Sequence, residues 1–137
     1  GIEACRCGIM HITKWTNSIR KALRKYPGHE IFMTQMKRGA FTDQDGPYPM
    51  LFVHAGLNAG FKLHEQGDHL WWSPDEFLRI EKAYKPFEKV VRGFDPSHGG
   101  LNLNCITATV DDGCGFGGKL VSVGFEGDGH AAHILEA

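Results

Sequence analysis

Apolar residues recur every three or four positions near the start of the chain, and several basic residues lie between them. This spacing predicts an amphipathic helix over residues 12–26, which the following Pro-Gly pair ends. A second, shorter helix is predicted for residues 30–38, with Gly39 just after its end. Residues 1–45 are therefore expected to form a helical arm that precedes the rest of the chain.

A turn-rich stretch at residues 42–49 is followed by a short apolar run, Met50–Val53. Such a run is typical of a buried strand, and His54 follows directly at its end. Ala55 and Gly56 are small, and they allow the backbone to turn sharply after the histidine. The pattern therefore predicts a strand whose tip carries an imidazole.

The four residues 73–76, Ser-Pro-Asp-Glu, combine a capping box with proline at the first helical position. They predict a helix that runs towards Pro86 and places three side chains, Phe77, Ile80 and Tyr84, on its inner side. Apolar and β-branched runs then predict further strands, of which the last two are joined by a tight Gly-Asp-Gly turn. These strands are expected at residues 89–92, 103–110, 119–126 and 130–135.

An α/β fold follows from these elements, as one domain over residues 1–137 with a sheet body at residues 46–137. With 137 residues, 42% of them hydrophobic and 23% charged, the chain has neither a disordered nor a collagen-like composition. No apolar stretch has the length that spans a bilayer, so no membrane partner is expected. Four cysteines are too few for a disulfide scaffold, which favours a reducing, cytoplasmic location.

The charge is unevenly distributed along the chain. Residues 1–41 contain eight Lys or Arg against two Glu, whereas residues 42–137 contain seven against fourteen Asp or Glu. A basic segment of this kind attracts nucleic acid or phosphate, but the solvated face of an amphipathic helix has the same composition. Nucleic acid is therefore not the expected partner.

Three short segments carry a more specific signal, namely LFVHAGL at residues 51–57, VVRGFDP at residues 90–96 and VDDGCGFGGKL at residues 110–120. In the same order they resemble the FVHAG, VVHGHTP and IDTGA…GGRL elements of calcineurin-like metallophosphoesterases, which include dinucleoside polyphosphate hydrolases and Ser/Thr protein phosphatases. The combination with TKWT, YPGHE and QGD.LWW resembles an alphaproteobacterial branch of that family.

The resemblance implies a two-sheet β-sandwich flanked by helices and a hydrolase of phosphoester or phosphoanhydride bonds. The histidine of FVHAG is a metal ligand in the family, so His54 is the expected ligand here. The implied cofactor is a pair of divalent ions, Mn, Fe or Zn, which generate the hydroxide that attacks phosphorus. A phosphorylated small molecule or a phosphoprotein is the implied substrate.

The departures from the family pattern are as informative as the matches. The family's DxH, GDxxDRG and GNHE motifs do not occur in this chain, and Phe94 replaces the metal-binding histidine of GHTP. A phenyl ring has no donor atom and cannot bind a metal. The chain is therefore expected to be the carboxyl-terminal portion of such a domain, with an incomplete metal site and no activity alone. The alternative is a degenerate, non-catalytic phosphatase-like binding protein.

Two further residues are candidates for the site. His98 lies four residues after Phe94 in a glycine-rich turn, where it either replaces the lost metal ligand or is an ordinary loop histidine. Arg92 at a strand end offers a planar fork of donors to a phosphate. The alternative for Arg92 is a salt bridge with one of three acids, Asp95, Asp111 or Asp112.

A partial domain of this kind has a further consequence for association. A sheet that lacks its neighbouring strands exposes apolar surface and unpaired strand edges. Self-association through an exposed sheet edge is therefore expected.

Overall fold

The fold is that of a computed structural model, which describes the backbone of residues 8–11 and the whole of residues 37–137. The helix predicted for residues 12–26 and most of the helix predicted for residues 30–38 lie outside the described residues. The described strands are β1 Gly8–His11, β2 Lys37–Phe41, β3 Met50–Val53, β4 Lys89–Arg92, β5 Asn102–Leu103, β6 Thr107–Thr109, β7 Val121–Phe125 and β8 Ala131–Glu136. The helices are α1 His69–Trp72 and α2 Pro74–Phe77, with 3-10 turns at Leu63–Glu65 and Cys114–Phe116.

Six strands form one mixed sheet in the order β1-β2-β3-β4-β6-β5. Its centre is parallel, because β3 pairs with β4 and β4 with β6 in the same direction. The pairing aligns Val53 with Arg92 and Arg92 with Thr109, so the carboxyl ends of all three strands meet at one edge. Strands β7 and β8 form a separate antiparallel hairpin.

One face of this sheet is covered by the segment between β3 and β4. Strand β4 is buried at all four positions, as expected for a central parallel strand with both faces covered. The core joins sheet residues to side chains of the covering segment, and its members are Leu51, Val53, Leu57, Leu70, Phe77, Ile80, Tyr84, Phe87 and Val90. The short helices α1 and α2 are therefore held by the core rather than by their own length.

The hairpin is attached to the main sheet through Lys89, which is only 7% exposed. Its ammonium group donates to the carbonyl of Gly129 at 2.5 Å and lies 5.5 Å from the centre of the Phe125 ring. Gly129 has a φ of +79°, and a Cβ there would come within 2.0 Å of the Tyr48 ring. The Gly-Asp-Gly turn predicted from the sequence thus also packs against the sheet.

Several predicted elements are confirmed. Strands β3 and β4 have the predicted bounds, and β7 and β8 form the predicted hairpin with bounds that differ by one or two residues at their ends. Residues 42–49 contain turns and bends without regular structure. The fold is mixed α/β, as expected, and it is richer in strands than in helices.

Other elements differ from the prediction. Residues 8–11 and 37–41 are strands of the main sheet rather than parts of a helical arm, because β2 pairs with both β1 and β3. The predicted helix after Ser73 is a single turn without a side-chain cap, although Phe77, Ile80 and Tyr84 are buried as predicted. The strand predicted at residues 103–110 is two strands, since the Asn104 amide donates to the Thr107 carbonyl and closes a turn between them.

In the part of the chain that the structure describes, no helix has the length and apolar character needed to cross a bilayer.

Candidate functional site

The predicted site residues lie at the carboxyl edge of the parallel strands. His54 follows β3, Gly93 and Phe94 follow β4, and Asp111 lies two residues after β6. The amides of Gly93 and Phe94 donate to the His54 carbonyl at 3.1 and 2.9 Å, which ties the ends of β3 and β4 together. In open α/β sheets this edge is where ligands bind.

His54 is exposed and is bordered by aromatic rings. Its imidazole is stacked on the Phe94 ring at a centroid distance of 5.1 Å and an angle of 4°. The rings of Trp71 and Trp72 lie at centroid distances of 5.3 and 6.3 Å from the imidazole. These rings cover part of the imidazole, and this partial desolvation lowers the pKa of His54, while the charge of Asp111 opposes the shift. The ring is therefore neutral at neutral pH, which is the form that binds metals and accepts hydrogen bonds.

The Phe94 ring contacts both histidines, since it is stacked on His54 and lies edge-to-face with His98 at a centroid distance of 5.9 Å. The His98 backbone has a φ of +48°, in the left-handed region. Its Nδ1 lies 3.4 Å from Asp111 Oδ2, and its ring packs on Phe116 at 4.2 Å. The structure thus brings His54 and His98 into one cluster in which both contact the Phe94 ring.

Asp111 organises the loops of this cluster. Its carboxylate accepts hydrogen bonds from the backbone amides of Asp95 at 2.8 Å and Gly113 at 2.9 Å. Burial alone would raise the pKa of Asp111, but these two amides and the His98 ring outweigh it and lower the pKa. The folded state therefore favours the ionised carboxylate.

Asp111→Asn is expected to reduce the free energy of unfolding at pH 7 by about 1 kcal/mol. The amides of Asp95 and Gly113 donate to different oxygens of the carboxylate, and a carboxamide has only one oxygen that can accept, so one of the two hydrogen bonds is lost. A depressed carboxylate pKa gives stability that is present above the unfolded value of about 3.9 and lost as pH falls through the folded value. The difference from wild type should therefore shrink below about pH 4. Urea unfolding at pH 7 and pH 3 measures it.

The control for this prediction is Asp112→Asn, because the neighbouring carboxylate accepts neither of those backbone hydrogen bonds. We expect its stability to stay close to wild type at both pH values. A difference between Asp111→Asn and wild type that stays constant between pH 7 and pH 3 would contradict the prediction.

Arg92 is buried, with a side chain only 2% exposed. Its Nη2 lies 3.2 Å from Asp95 Oδ2, and its Nε donates to the Thr109 hydroxyl at 2.9 Å. The guanidinium also lies 4.5 Å from the centre of the Phe77 ring. The salt bridge with Asp95, the alternative that the sequence left open, is thus present.

The donor atoms in this region do not fit a pair of divalent ions. Within residues 37–137, no three His, Cys, Asp or Glu side chains gather as a set that could hold a metal. Asp111 is engaged by backbone amides and Asp95 by Arg92, so neither carboxylate is free to bridge two ions. A metal pair needs such a bridging carboxylate to offset the repulsion between its ions.

Two features of the site were not predicted from the sequence. The packing of Trp71 against His54 depends on α1 folding back onto the tip of β3, where the Ala55 amide donates to the Leu70 carbonyl at 3.2 Å. The role of Asp111 as an acceptor for two backbone amides was also missed. A signal was available, since an Asp-Asp-Gly sequence directly after a strand is typical of a side chain that caps a turn.

Three of the cavities in the described part of the chain lie near these elements. One, of about 700 Å³, is lined by residues 59–63 and 79–86 and touches none of the predicted site residues. Another, of about 300 Å³, is lined by residues of α1 and α2, including Trp72. A smaller one, of about 260 Å³, is lined by Arg92 and Asp95 together with residues of α2, β5 and β6.

Comparisons of the chain with models of known protein families, with curated proteins and with solved structures found no match.

Proposed function

We propose that this chain is the carboxyl-terminal portion of a calcineurin-like phosphoesterase domain and does not hydrolyse phosphoesters by itself. The intact form would be a metal-dependent hydrolase of phosphoester or phosphoanhydride bonds, acting on a phosphorylated small molecule or a phosphoprotein. The carboxylates that a pair of Mn, Fe or Zn ions requires would come from segments other than residues 37–137. The single observation that carries this proposal is the position of His54.

The resemblance to FVHAG makes His54 the proposed metal ligand, and three features of the residue support that role. It follows a central parallel strand directly, its side chain is exposed, and its pKa is lowered, so a neutral imidazole faces outward at neutral pH. His98 lies in the same cluster. We do not assign the phosphate to Arg92, because its charge is already paired with Asp95 and its side chain is almost entirely buried.

A second candidate is a phosphatase-like protein that binds a partner or a phosphorylated ligand without catalysis. Phe94 is the observation that favours it, because its ring is stacked on His54 and occupies the position of the family's other histidine. The chain would then use the carboxyl edge for recognition alone.

Phe94→His distinguishes these candidates. If the carboxyl edge of the sheet derives from a metal site, a second imidazole next to His54 is expected to tighten Zn²⁺ binding at least about tenfold. One of the two rings would rotate so that a nitrogen lone pair of each points at the same ion. Isothermal titration of the wild-type and variant chains with Zn²⁺ measures the change. The double variant His54→Ala/Phe94→His should lose the gain.

Leu78→His is the matched control, because Leu78 is 73% exposed and is not one of the residues that cluster with His54 and His98. It should not tighten Zn²⁺ binding through His54. Equal Zn²⁺ affinity for Phe94→His and wild type would count against a metal edge and for the non-catalytic candidate. Release of phosphate from p-nitrophenyl phosphate by the wild-type chain with Mn²⁺, lost in His54→Ala, would contradict the proposal that the chain is inactive alone.

The β7–β8 hairpin is the part of the chain that supports the proposed two-sheet sandwich and the proposed self-association. All six residues of β8 are exposed, Leu135 to 70%, and within the described residues β8 pairs only with β7. A two-stranded hairpin is marginally stable alone, so the proposed second sheet would continue from this edge, in the intact domain or in a second copy. The exposed, unpaired thiols of Cys105 and Cys114 fit the proposed cytoplasmic location.

A further inference from the structure

The cavity of about 260 Å³ has a polar lining that the proposed function does not use. It lies between α2 and the strands β4, β5 and β6, with Phe77 and Ile80 on its apolar side. Its polar side is formed by Arg92, Asp95, Asn102, Asn104, Thr107 and Thr109. We refer to these six residues and the space that they enclose as the Arg92 cavity.

The charge of the Arg92 cavity is balanced internally. Arg92 and Asp95 are its charged residues, and they form an ion pair with an Nη2–Oδ2 distance of 3.2 Å. The Arg92 side chain is 2% exposed and the Asp95 side chain 14% exposed, so the pair is largely shielded from water. An anion in the cavity would be attracted by the guanidinium but repelled by the carboxylate. The electrostatics therefore favour an uncharged ligand.

The hydrogen-bonding groups of the Arg92 cavity are only partly used. Arg92 Nη1 is buried and has no hydrogen-bond partner among the described residues. The Thr109 hydroxyl accepts from Arg92 Nε and still has its own proton to donate. The side chains of Asn102 and Asn104 are exposed at the mouth and make no hydrogen bond to another residue that the structure describes. The hydrogen-bonding groups that a ligand in the cavity can reach are therefore chiefly the exposed carboxamides of Asn102 and Asn104.

We propose that the Arg92 cavity binds a small, uncharged, polyhydroxylated molecule, of the size and chemistry of a monosaccharide. Amides and hydroxyls both donate and accept, and they match the alternating donor and acceptor groups of neighbouring hydroxyls. The volume of the Arg92 cavity lies below the roughly 300–1,000 Å³ of pockets for drug-sized ligands, so the ligand that it binds must be small. The proposal is independent of the phosphoesterase assignment, because it uses neither His54 nor a metal.

The test is a titration of the isotope-labelled chain with D-ribose and D-glucose, followed by the side-chain amide signals of Asn102 and Asn104 in NMR spectra. A saturable shift of both signals with at least one sugar is expected. Asn104→Ala and Asn102→Ala should each weaken that binding about fivefold, the effect of one lost hydrogen bond. Both residues are exposed, so the variants should keep the wild-type fold, which the dispersion of the same spectra checks.

Gln44→Ala is the matched control, since it removes an exposed carboxamide outside the cavity, and it should leave sugar binding unchanged. Inorganic phosphate is the second probe. A saturable shift of Asn102 and Asn104 with phosphate but with neither sugar would overturn the proposal in favour of an anion site. The absence of any saturable shift with either sugar, or equal affinity for Asn104→Ala, Asn102→Ala and wild type, would also overturn it.

Discussion

Gly56→Ala is expected to reduce the free energy of unfolding by about 3 kcal/mol, at the upper end of the usual effect of overpacking. Gly56 is buried two residues after His54, where the chain leaves β3. A Cβ at this position would lie 2.1 Å from the Ser73 carbonyl oxygen and 3.0 Å from the Phe77 Cβ. Both neighbours are fixed, one as backbone and the other as a core side chain, so the strand tip or α2 must move. Urea unfolding measures the loss.

Gly93→Ala is the matched control for this prediction. Gly93 also follows a central parallel strand, but a Cβ there would have no atom within 4 Å. We expect Gly93→Ala to stay within about 0.5 kcal/mol of wild type. If the two alanine variants were equally stable, the close packing of Gly56 against Ser73 would not be a determinant of the fold. The His54 side-chain signals in NMR spectra should shift in Gly56→Ala as the strand tip moves.

Arg92→Met is expected to destabilise the chain by about 3 kcal/mol, because it leaves the Asp95 carboxylate without its partner in a largely buried site. The methionine retains part of the packing over Phe77 but removes the hydrogen bond to Thr109. Burial raises the pKa of Asp95, whereas the hydrogen bonds from Ser97 and the charge of Arg92 together outweigh it and lower the pKa. Without Arg92 the carboxylate would lose part of that stabilisation. Chemical unfolding at pH 7 measures the effect.

Lys85→Met provides the comparison, because Lys85 and Glu88 form an exposed ion pair with the same spacing of three residues. Exposed pairs contribute about 0–1 kcal/mol, so this variant should be nearly as stable as wild type. The double variant Arg92→Met/Asp95→Asn should be more stable than Arg92→Met alone, since it buries no unpaired charge. A loss for Arg92→Met no larger than that for Lys85→Met would show that the buried pair does not stabilise the fold.

The residues at the carboxyl edge of the sheet were predictable because short runs of apolar residues define the strands that end there. Four apolar residues before His54 define β3, and the buried run Lys89–Arg92 defines β4 with the same bounds in sequence and structure. In a parallel arrangement, the tips of these strands must lie side by side. The position of His54 at the edge follows from these patterns, whereas its contacts with three aromatic rings do not.

The helical arm was partly mispredicted because local patterns do not fix which strands pair. Residues 37–41, Lys-Arg-Gly-Ala-Phe, have no strong strand propensity, but they lie between β1 and β3 and gain hydrogen bonds from both sides. Strand formation depends more on such neighbours than on the residues themselves. The helix after Ser73 is short for a related reason, since the core fixes Phe77, Ile80 and Tyr84 without requiring a continuous helix.

By itself the sequence determined which residues end the central strands and which loop carries His98. Only the tertiary structure decided that Phe94 stacks on His54, that Arg92 is neutralised by Asp95 and that the Arg92 cavity exists. Strand ends are encoded by residues adjacent in the chain, whereas these contacts also depend on distant segments, as in the bond between Arg92 and Thr109, 17 residues apart. Their energies come from burial and charge pairing, which exist only after the sheet has formed.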